Sequence, residues 1–293
     1  MPHKSGFVNI IGNPNVGKST IMNAMVGEKL SIITSKSQTT RHRIMGIVNT
    51  EDYQIVYSDT PGILKPNYKL QEKMMGFVGT AMEDADVMLY ITDVVETLDK
   101  NQHYIDKLIK LDAPILLLIN KIDLSDQEKL EQLVDIWKKI LPEAEIIPVS
   151  ALNNFNLDQV FMRIVELLPE GPPYFPKDSL TDKTERFFVS EIIREKVLLN
   201  YQKEIPYSVE IEIEEFKDTE NLLRLRAIIH VVRPSQKGII IGHKGQALKK
   251  IGTEARIDIE SFFGKKVFLE IFVKVSKDWR DKDRSLRNFG YNA

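Results

Sequence analysis

Gly12-Asn13-Pro14-Asn15-Val16-Gly17-Lys18-Ser19 directly follows the apolar run 7–11 and leads into a helical pattern that starts at Lys18. Its spacing satisfies G-x-x-x-x-G-K-[ST] in the strand, turn and helix setting that this pattern requires. Only a glycine-rich turn lets successive backbone N–H groups converge on phosphate oxygens, and the helix N-terminus adds partial positive charge. In this reading Lys18 neutralises β- and γ-phosphates, Ser19 ligates Mg²⁺ and Thr20 completes the binding run.

Working outward, apolar runs at 54–58, 87–92, 115–120 and 145–149 alternate with helical patterns such as 127–141. This alternation predicts an α/β domain with a doubly wound, mainly parallel sheet. Asp59-Thr60-Pro61-Gly62 follows the second run, which places Asp59 to hold Mg²⁺ through its waters and the Gly62 N–H to reach a γ-phosphate. An Asp before a Pro-Gly turn is, taken alone, usually only a turn. Asn120-Lys121-Ile122-Asp123 ends the run 115–119. The Asp123 carboxylate can accept both the ring N–H and the exocyclic amine of guanine, a donor pair that adenine lacks. Asn120 would tie this loop to the phosphate loop, with the Lys121 stem lying over the base. Ser150 and Ala151, after the last run, bring backbone N–H groups toward the guanine carbonyl oxygen. Four elements in this order, each at a strand end, predict a guanine nucleotide site and make an ATPase the least favoured reading.

The 293 residues, 43% apolar or aromatic and 28% charged, support about two domains. With no cysteine the chain suits a reducing, intracellular setting. No run approaches the ~18 apolar residues of a membrane span, and residues 1–6 are too short and polar for a signal peptide. Gly171-Pro172-Pro173-Tyr174-Phe175-Pro176 can neither continue a helix nor feed a sheet ladder, so it reads as a linker. The expected division is a nucleotide domain over 1–170, a linker over 171–180 and a second domain over 181–293. The net charge of −2 hides an asymmetry, because residues 221–293 hold 16 basic against 7 acidic side chains. That excess points to a polyanion partner for this region, the plainer alternative being a solvated basic face.

After the linker come a helical pattern over 187–201, an alternation of Val209, Ile211 and Ile213 with glutamates, and a second alternation at Leu225, Ala227, Ile229 and Val231. A helical stretch over 244–263 and a strand over 267–275 complete an α+β order of α, β, β, α(α), β. Gly242-His243-Lys244-Gly245 is a G-x-x-G loop entered by Ile239-Ile240-Ile241. In a KH fold such a loop lets a nucleic acid backbone approach while a neighbouring apolar groove takes unstacked bases. Lys237, Lys244, Lys249 and Lys250 supply positive charge around it, and His243 is read as a loop residue.

Over about residues 1–168 the chain resembles the translation-factor-like P-loop GTPases of the TrmE-Era-EngA-like group, and the second domain looks like a type II KH domain. Together, with Trp279, Arg280 and Asp281 in the tail, the pattern resembles the bacterial Era family over nearly the whole chain. The resemblance implies hydrolysis of GTP to GDP and phosphate. It also implies a first switch at Gln38, Thr39, Thr40 and Arg41 in which Thr40 closes onto Mg²⁺ and the γ-phosphate, the choice between Thr39 and Thr40 staying open. The implied RNA is the 3′ end of small-subunit (16S) ribosomal RNA, held by Ile239, Ile241, Gly242, His243, Lys244 and Gly245, with a role in rRNA processing and small ribosomal subunit biogenesis. A cytoplasmic monomer is expected. The family also implies peripheral contact with the inner membrane, for which the sequence offers no lipidation signal or apolar helix.

One departure bears on mechanism. Ras-type GTPases carry a water-orienting Gln after D-x-x-G, and here Ile63 stands in that place. Slow intrinsic hydrolysis is therefore expected, with Lys18, Thr40, Gly62 and Asn15 as the catalytic set. Relatives with this apolar replacement recruit a monovalent cation through a phosphate-loop Asn, and Asn15 occupies the matching position, so K⁺ is expected to stimulate turnover. Arg41 as a finger in cis is the alternative, although a switch arginine is more often solvated. Two further readings stay open at this point: an RNA chaperone using GTP only as a structural ligand, and a membrane-associated signalling GTPase whose basic tail meets anionic lipid.

Overall fold

Strands such as Val87–Asp93 and Ile115–Asn120 are apolar without alternation and buried along their whole length, which requires helices on both faces of their sheet. A computed structural model describes residues 2–96 and 101–292. In chain order the first part contains β1 (Lys4–Gly12), α1 (Lys18–Val26), β2 (Ile44–Asn49), β3 (Tyr53–Asp59), α2 (Lys69–Glu83), β4 (Val87–Asp93), α3 (Gln102–Leu108), β5 (Ile115–Asn120), α4 (Gln127–Ile140), β6 (Glu145–Pro148) and α5 (Leu157–Leu167). The sheet order is β2-β3-β1-β4-β5-β6. Only β2 with β3 is antiparallel, so the expected mainly parallel sheet is present with one added edge strand. Strand β2 is not expected from the sequence, because Gly46 splits the apolar pairs Ile44-Met45 and Ile47-Val48 and no alternation marks a half-solvated face. Register places Ile10 beside Asp59 and Asp93 beside Asn120, so the C-terminal strand ends that carry the motifs share one edge of the sheet.

The Pro-rich stretch is no free tether. The buried amide of Gln54 accepts from the backbone N–H of Tyr174 (2.7 Å) and Phe175 (2.9 Å) and donates to Phe175 O (2.8 Å). Ile47 N–H then donates to Leu180 O at 2.8 Å, and Met45 N–H to Asp182 Oδ1 at 2.9 Å. Proline removes its own donor but leaves its neighbours' N–H groups free to bond. By its internal contacts the first unit accordingly extends through Asp182, while Asn67–Lys73 groups with Lys183–Asn292.

The second unit adds α6 (Glu185–Asn200), α7 (Ile205–Ser208), β7 (Glu210–Asp218), β8 (Leu222–Val231), α8 (Pro234–Ile241), α9 (Gln246–Phe263), β9 (Lys266–Val275) and α10 (Asp283–Asn288). Its sheet runs β7-β8-β9, antiparallel then parallel. The expected element order is thus observed, with Ile239-Ile240-Ile241 forming the last turn of a helix that Pro234 opens. Inward residues Val189, Ile193, Leu225, Ile229, Ile251 and Ile259 form one core. The tail closes over that core: Trp279 Nε1 donates to Ser208 O (3.1 Å) and the Tyr291 hydroxyl to Glu210 Oε2 (2.7 Å).

Candidate nucleotide and nucleic-acid sites

Loops at the C-terminal strand ends enclose a cavity of about 540 Å³. Pro14, Asn15, Gly17, Lys18, Ser19, Thr20, Thr40, Gly62, Asn120, Lys121, Asp123 and Ala151 all line it. Gly12, Asn13, Val16, Asp59 and Ser150 stand immediately behind that lining in the same loops and strand ends. Gly17 has φ 101°, and a Cβ there would collide with Asn120 Nδ2, so this close approach of the phosphate and guanine loops requires glycine.

At the phosphate end the Lys18 ammonium is buried and donates to Asn13 O at 2.8 Å. Burial lowers its pKa to about 8, opposed by the nearby carboxylates of Asp59 and Glu96. Ser19 Oγ donates to Asp59 Oδ2 at 2.6 Å and lies 3.0 Å from Thr40 Oγ1, which itself donates to Asp59 Oδ2 at 3.2 Å. Burial raises the pKa of the Asp59 carboxyl, with the Lys18 charge and the hydroxyls of Ser19, Ser31 and Thr40 opposing that rise. Asp59 Oδ1 is buried with no hydrogen-bond partner, an acceptor that a cation or its waters would satisfy. Two hydroxyls gathered on one carboxylate form the hard oxygen set that Mg²⁺ prefers, so these residues fit that ion. Thr39 instead donates to Lys36 O at 2.7 Å, away from Asp59.

At the base end Asn120 Nδ2 donates to Val16 O (2.8 Å) and Asn120 Oδ1 accepts from Ala151 N–H (3.0 Å). Ser150 Oγ donates to Asp123 Oδ1 at 2.5 Å, fixing the carboxylate. Lys121 Nζ reaches both Asn15 O (2.7 Å) and Asp93 Oδ2 (2.6 Å). Sequence reasoning missed Asp93 and also Asn101, whose amide donates to Asn13 Oδ1. The signal for Asp93 was its place at the end of an apolar run, beside the run that carries Asn120.

Ile63 is 2% exposed and belongs to the buried cluster that also holds Ile11, Val78, Tyr90 and Trp137, so its aliphatic side chain is taken up by the core. Asn15 adopts φ 67° and its Nδ2 donates to Ser35 O at 2.9 Å, joining the phosphate loop to the segment before Thr39. Arg41 differs from the solvated switch arginine expected: it is 1% exposed and does not line the cavity, so this geometry gives a finger in cis no support.

In the second unit Gly242 (φ 70°), Lys244 (φ 50°) and Gly245 (φ 76°) turn the chain sharply between α8 and α9. Lys237 and Ile239 sit on α8, His243 and Lys244 at the exposed loop tip, and Ile241 is half-buried. Beyond the loop a groove of about 380 Å³ runs between α9 and β9. Gly245 and Lys249, two of the residues expected to meet RNA, line it, and Leu248, Gly252, Arg256, Leu269 and Ile271 join them. These five were not legible beforehand, because pairing α9 with β9 is a tertiary fact. An apolar floor flanked by Lys249 and Arg256 suits unstacked bases on a charged backbone.

The family model described as 50S ribosome-binding GTPase matches residues 7–121, and the KH domain model matches residues 204–280. The chain is 47% identical over 292 residues to the GTPase Era of Syntrophus aciditrophicus, covering 99% of this chain and 95% of that one. This chain belongs to the Era family of GTPases. It is also 47% identical over 290 residues to the GTPase Era of Clostridium kluyveri, covering 98% and 99%. A crystal structure of Era in complex with MgGDPNP and nucleotides 1506–1542 of 16S ribosomal RNA matches at TM-score 0.94 and 40% identity over 99% of this chain and 100% of that one. An Aquifex aeolicus Era variant bound to GDP and AlF4⁻ matches with the same TM-score and identity. As in the rest of the Era family, the activity of the phosphate site is GTP hydrolysis.

Proposed function

We propose that this Era-family GTPase binds the 3′ end of 16S ribosomal RNA through its G-x-x-G loop and the adjoining groove, and acts in small-subunit rRNA processing and biogenesis. The observation that carries this is a complete guanine-nucleotide constellation on the same chain as a basic KH groove. The full-length likeness to an Era chain holding MgGDPNP and 16S nucleotides supports the choice of RNA. Ser19, Thr40 and Asp59 would hold Mg²⁺, which supplies positive charge for the phosphates when bound. Lys18 faces those phosphates, the Gly62 N–H is offered to the γ-phosphate, and Asp123 accepts from guanine.

Since Ile63 is packed into the core, water must be positioned by other groups, and intrinsic turnover is slow. K⁺ taken up at Asn15, next to Ser35 O, would add positive charge to the site. Equal turnover in Na⁺ and K⁺ would overturn this part. The protein acts in the cytoplasm as a monomer, with a peripheral fraction at the inner membrane surface, which fractionation and light scattering test.

The deciding experiment is affinity for a short RNA copying the 16S 3′ end, in GDP and in a non-hydrolysable GTP analogue, at two salt concentrations. Tighter binding with the analogue, beyond a scrambled control, is expected. Equal binding in both states would withdraw the switch. Replacing Gly242 and Gly245 by Asp should abolish RNA binding and leave GTP affinity intact, and loss of both would overturn the two-module reading. Burial of Ile63 favours one rival, an RNA chaperone with GTP as a structural ligand, and single-turnover hydrolysis with and without RNA separates the two.

A further inference from the structure

Asp93 ends β4 with its side chain 6% exposed, and its two carboxylate oxygens do different work. Oδ1 accepts the backbone N–H groups of Val95 and Glu96, each at 2.9 Å, which shapes the turn. Oδ2 faces the other way and pairs with Lys121 Nζ at 2.6 Å. The same ammonium donates to Asn15 O at 2.7 Å. Asn15 holds a left-handed backbone conformation at φ 67°, which asparagine tolerates but does not enforce. Contacts at its carbonyl therefore help to hold that peptide in place. Val16 O, next along, is held by Asn120, the register partner of Asp93.

We propose that Asp93 is a positioning residue for nucleotide binding: it fixes the Lys121 ammonium on the Asn15 peptide, and so preorganises the phosphate loop from the neighbouring strand. The inference rests on the guanine-nucleotide reading of the cavity. Asp93 touches neither phosphate nor base and acts through Lys121. With Asp93 in place, the lysine stem is stretched between two anchors and its rotamers are fixed before the base arrives, so binding does not have to order them. Without it the ammonium, one-third exposed, would turn to water and release the loop.

The split use of the carboxylate supplies a clean test. Asp93→Asn keeps an acceptor for Val95 and Glu96 but turns an amide toward the ammonium, leaving the turn intact while breaking the clamp. Affinity for fluorescently labelled GDP should fall about tenfold through faster release, the size expected of one charge-assisted hydrogen bond. Asp93→Glu should restore part of the loss. In a Lys121→Ala background, Asp93→Asn should change GDP affinity by less than about twofold, because the two act as one unit. Should Asp93→Asn fail to fold, Asp93→Glu takes its place in the same cycle. Undiminished affinity in Asp93→Asn, or an effect of equal size with and without Lys121, would overturn the proposal. Wild-type protein that bound no guanine nucleotide would remove the functional reading as well, whereas normal wild-type binding with a silent Asp93→Asn removes this inference alone.

Discussion

The hydroxyl of Ser150 donates to Asp123 Oδ1 across 2.5 Å, so the carboxylate proposed to accept from guanine is itself held by the loop after β6. Asp123→Asn replaces an acceptor by a donor. Affinity for GDP should fall by at least about 100-fold, the cost of two hydrogen bonds to a charged group, while xanthosine diphosphate gains. Ser150→Ala should cost GDP only about tenfold with no gain for the xanthine nucleotide. Competition between the two nucleotides for labelled GDP checks both, and a switch in preference from Ser150→Ala would misplace the selectivity.

Adjacent threonines predict opposite outcomes at the metal. Thr40 shares Asp59 Oδ2 with Ser19, whereas Thr39 is occupied by Lys36 O. Thr40→Ala should raise the Mg²⁺ concentration needed for GTP-analogue binding about tenfold and leave GDP affinity within about twofold. Thr39→Ala should leave both Mg²⁺ titrations near wild type. The reverse pattern would reassign the switch ligand.

How far the sequence could be read follows from which contacts are local. The phosphate and guanine motifs lie within single turns, so residue types at fixed spacing disclosed them, and the structure gathers their loops around one cavity that most of their residues line. The two anchors Asp93, at the end of β4, and Asn101, just before α3, bond across strands or loops and carry no spacing of their own. Strand β2 stayed hidden because its edge position needs no strict pattern, and the Pro-rich stretch 171–176 looked detached because the carbonyls and N–H groups that bind it to Gln54 belong to no motif. The α9–β9 groove was invisible for the same reason: Leu269 and Ile271 read only as one face of a strand until α9 is laid beside them.

The two loop glycines of the second unit should not be equivalent. Gly242 combines φ 70° with ψ −180°, a region closed to side chains, and a Cβ there would come within 2.6 Å of the Ala247 Cβ. Gly245 has φ 76° but open space around it. Gly242→Ala should therefore destabilise the second unit by about 3 kcal/mol, and Gly245→Ala by about 1 kcal/mol. The chain has 2 tryptophans, so in a Trp137→Phe background Trp279 fluorescence reports unfolding of this unit alone. Equal losses would mean that the loop relaxes around Ala247.

If the groove carries the RNA backbone, charge removal there must appear in the salt dependence. Lys237 and Lys249 flank the loop and have no ion-pair partner among the described residues, whereas Arg256 is held by Glu260 at 2.9 Å. A lysine that neutralises one phosphate of a single strand contributes about 0.7 to the slope of log K against log salt. Lys237→Ala and Lys249→Ala should each lower the slope by that amount, for target and scrambled RNA alike, since phosphate contacts carry no sequence information. Arg256→Ala should lower it less, because Glu260 already offsets its charge. Binding isotherms at four salt concentrations resolve the difference. Slopes unchanged by both lysine variants would move the RNA off this face, while a loss confined to the target RNA would mean that the lysines read bases.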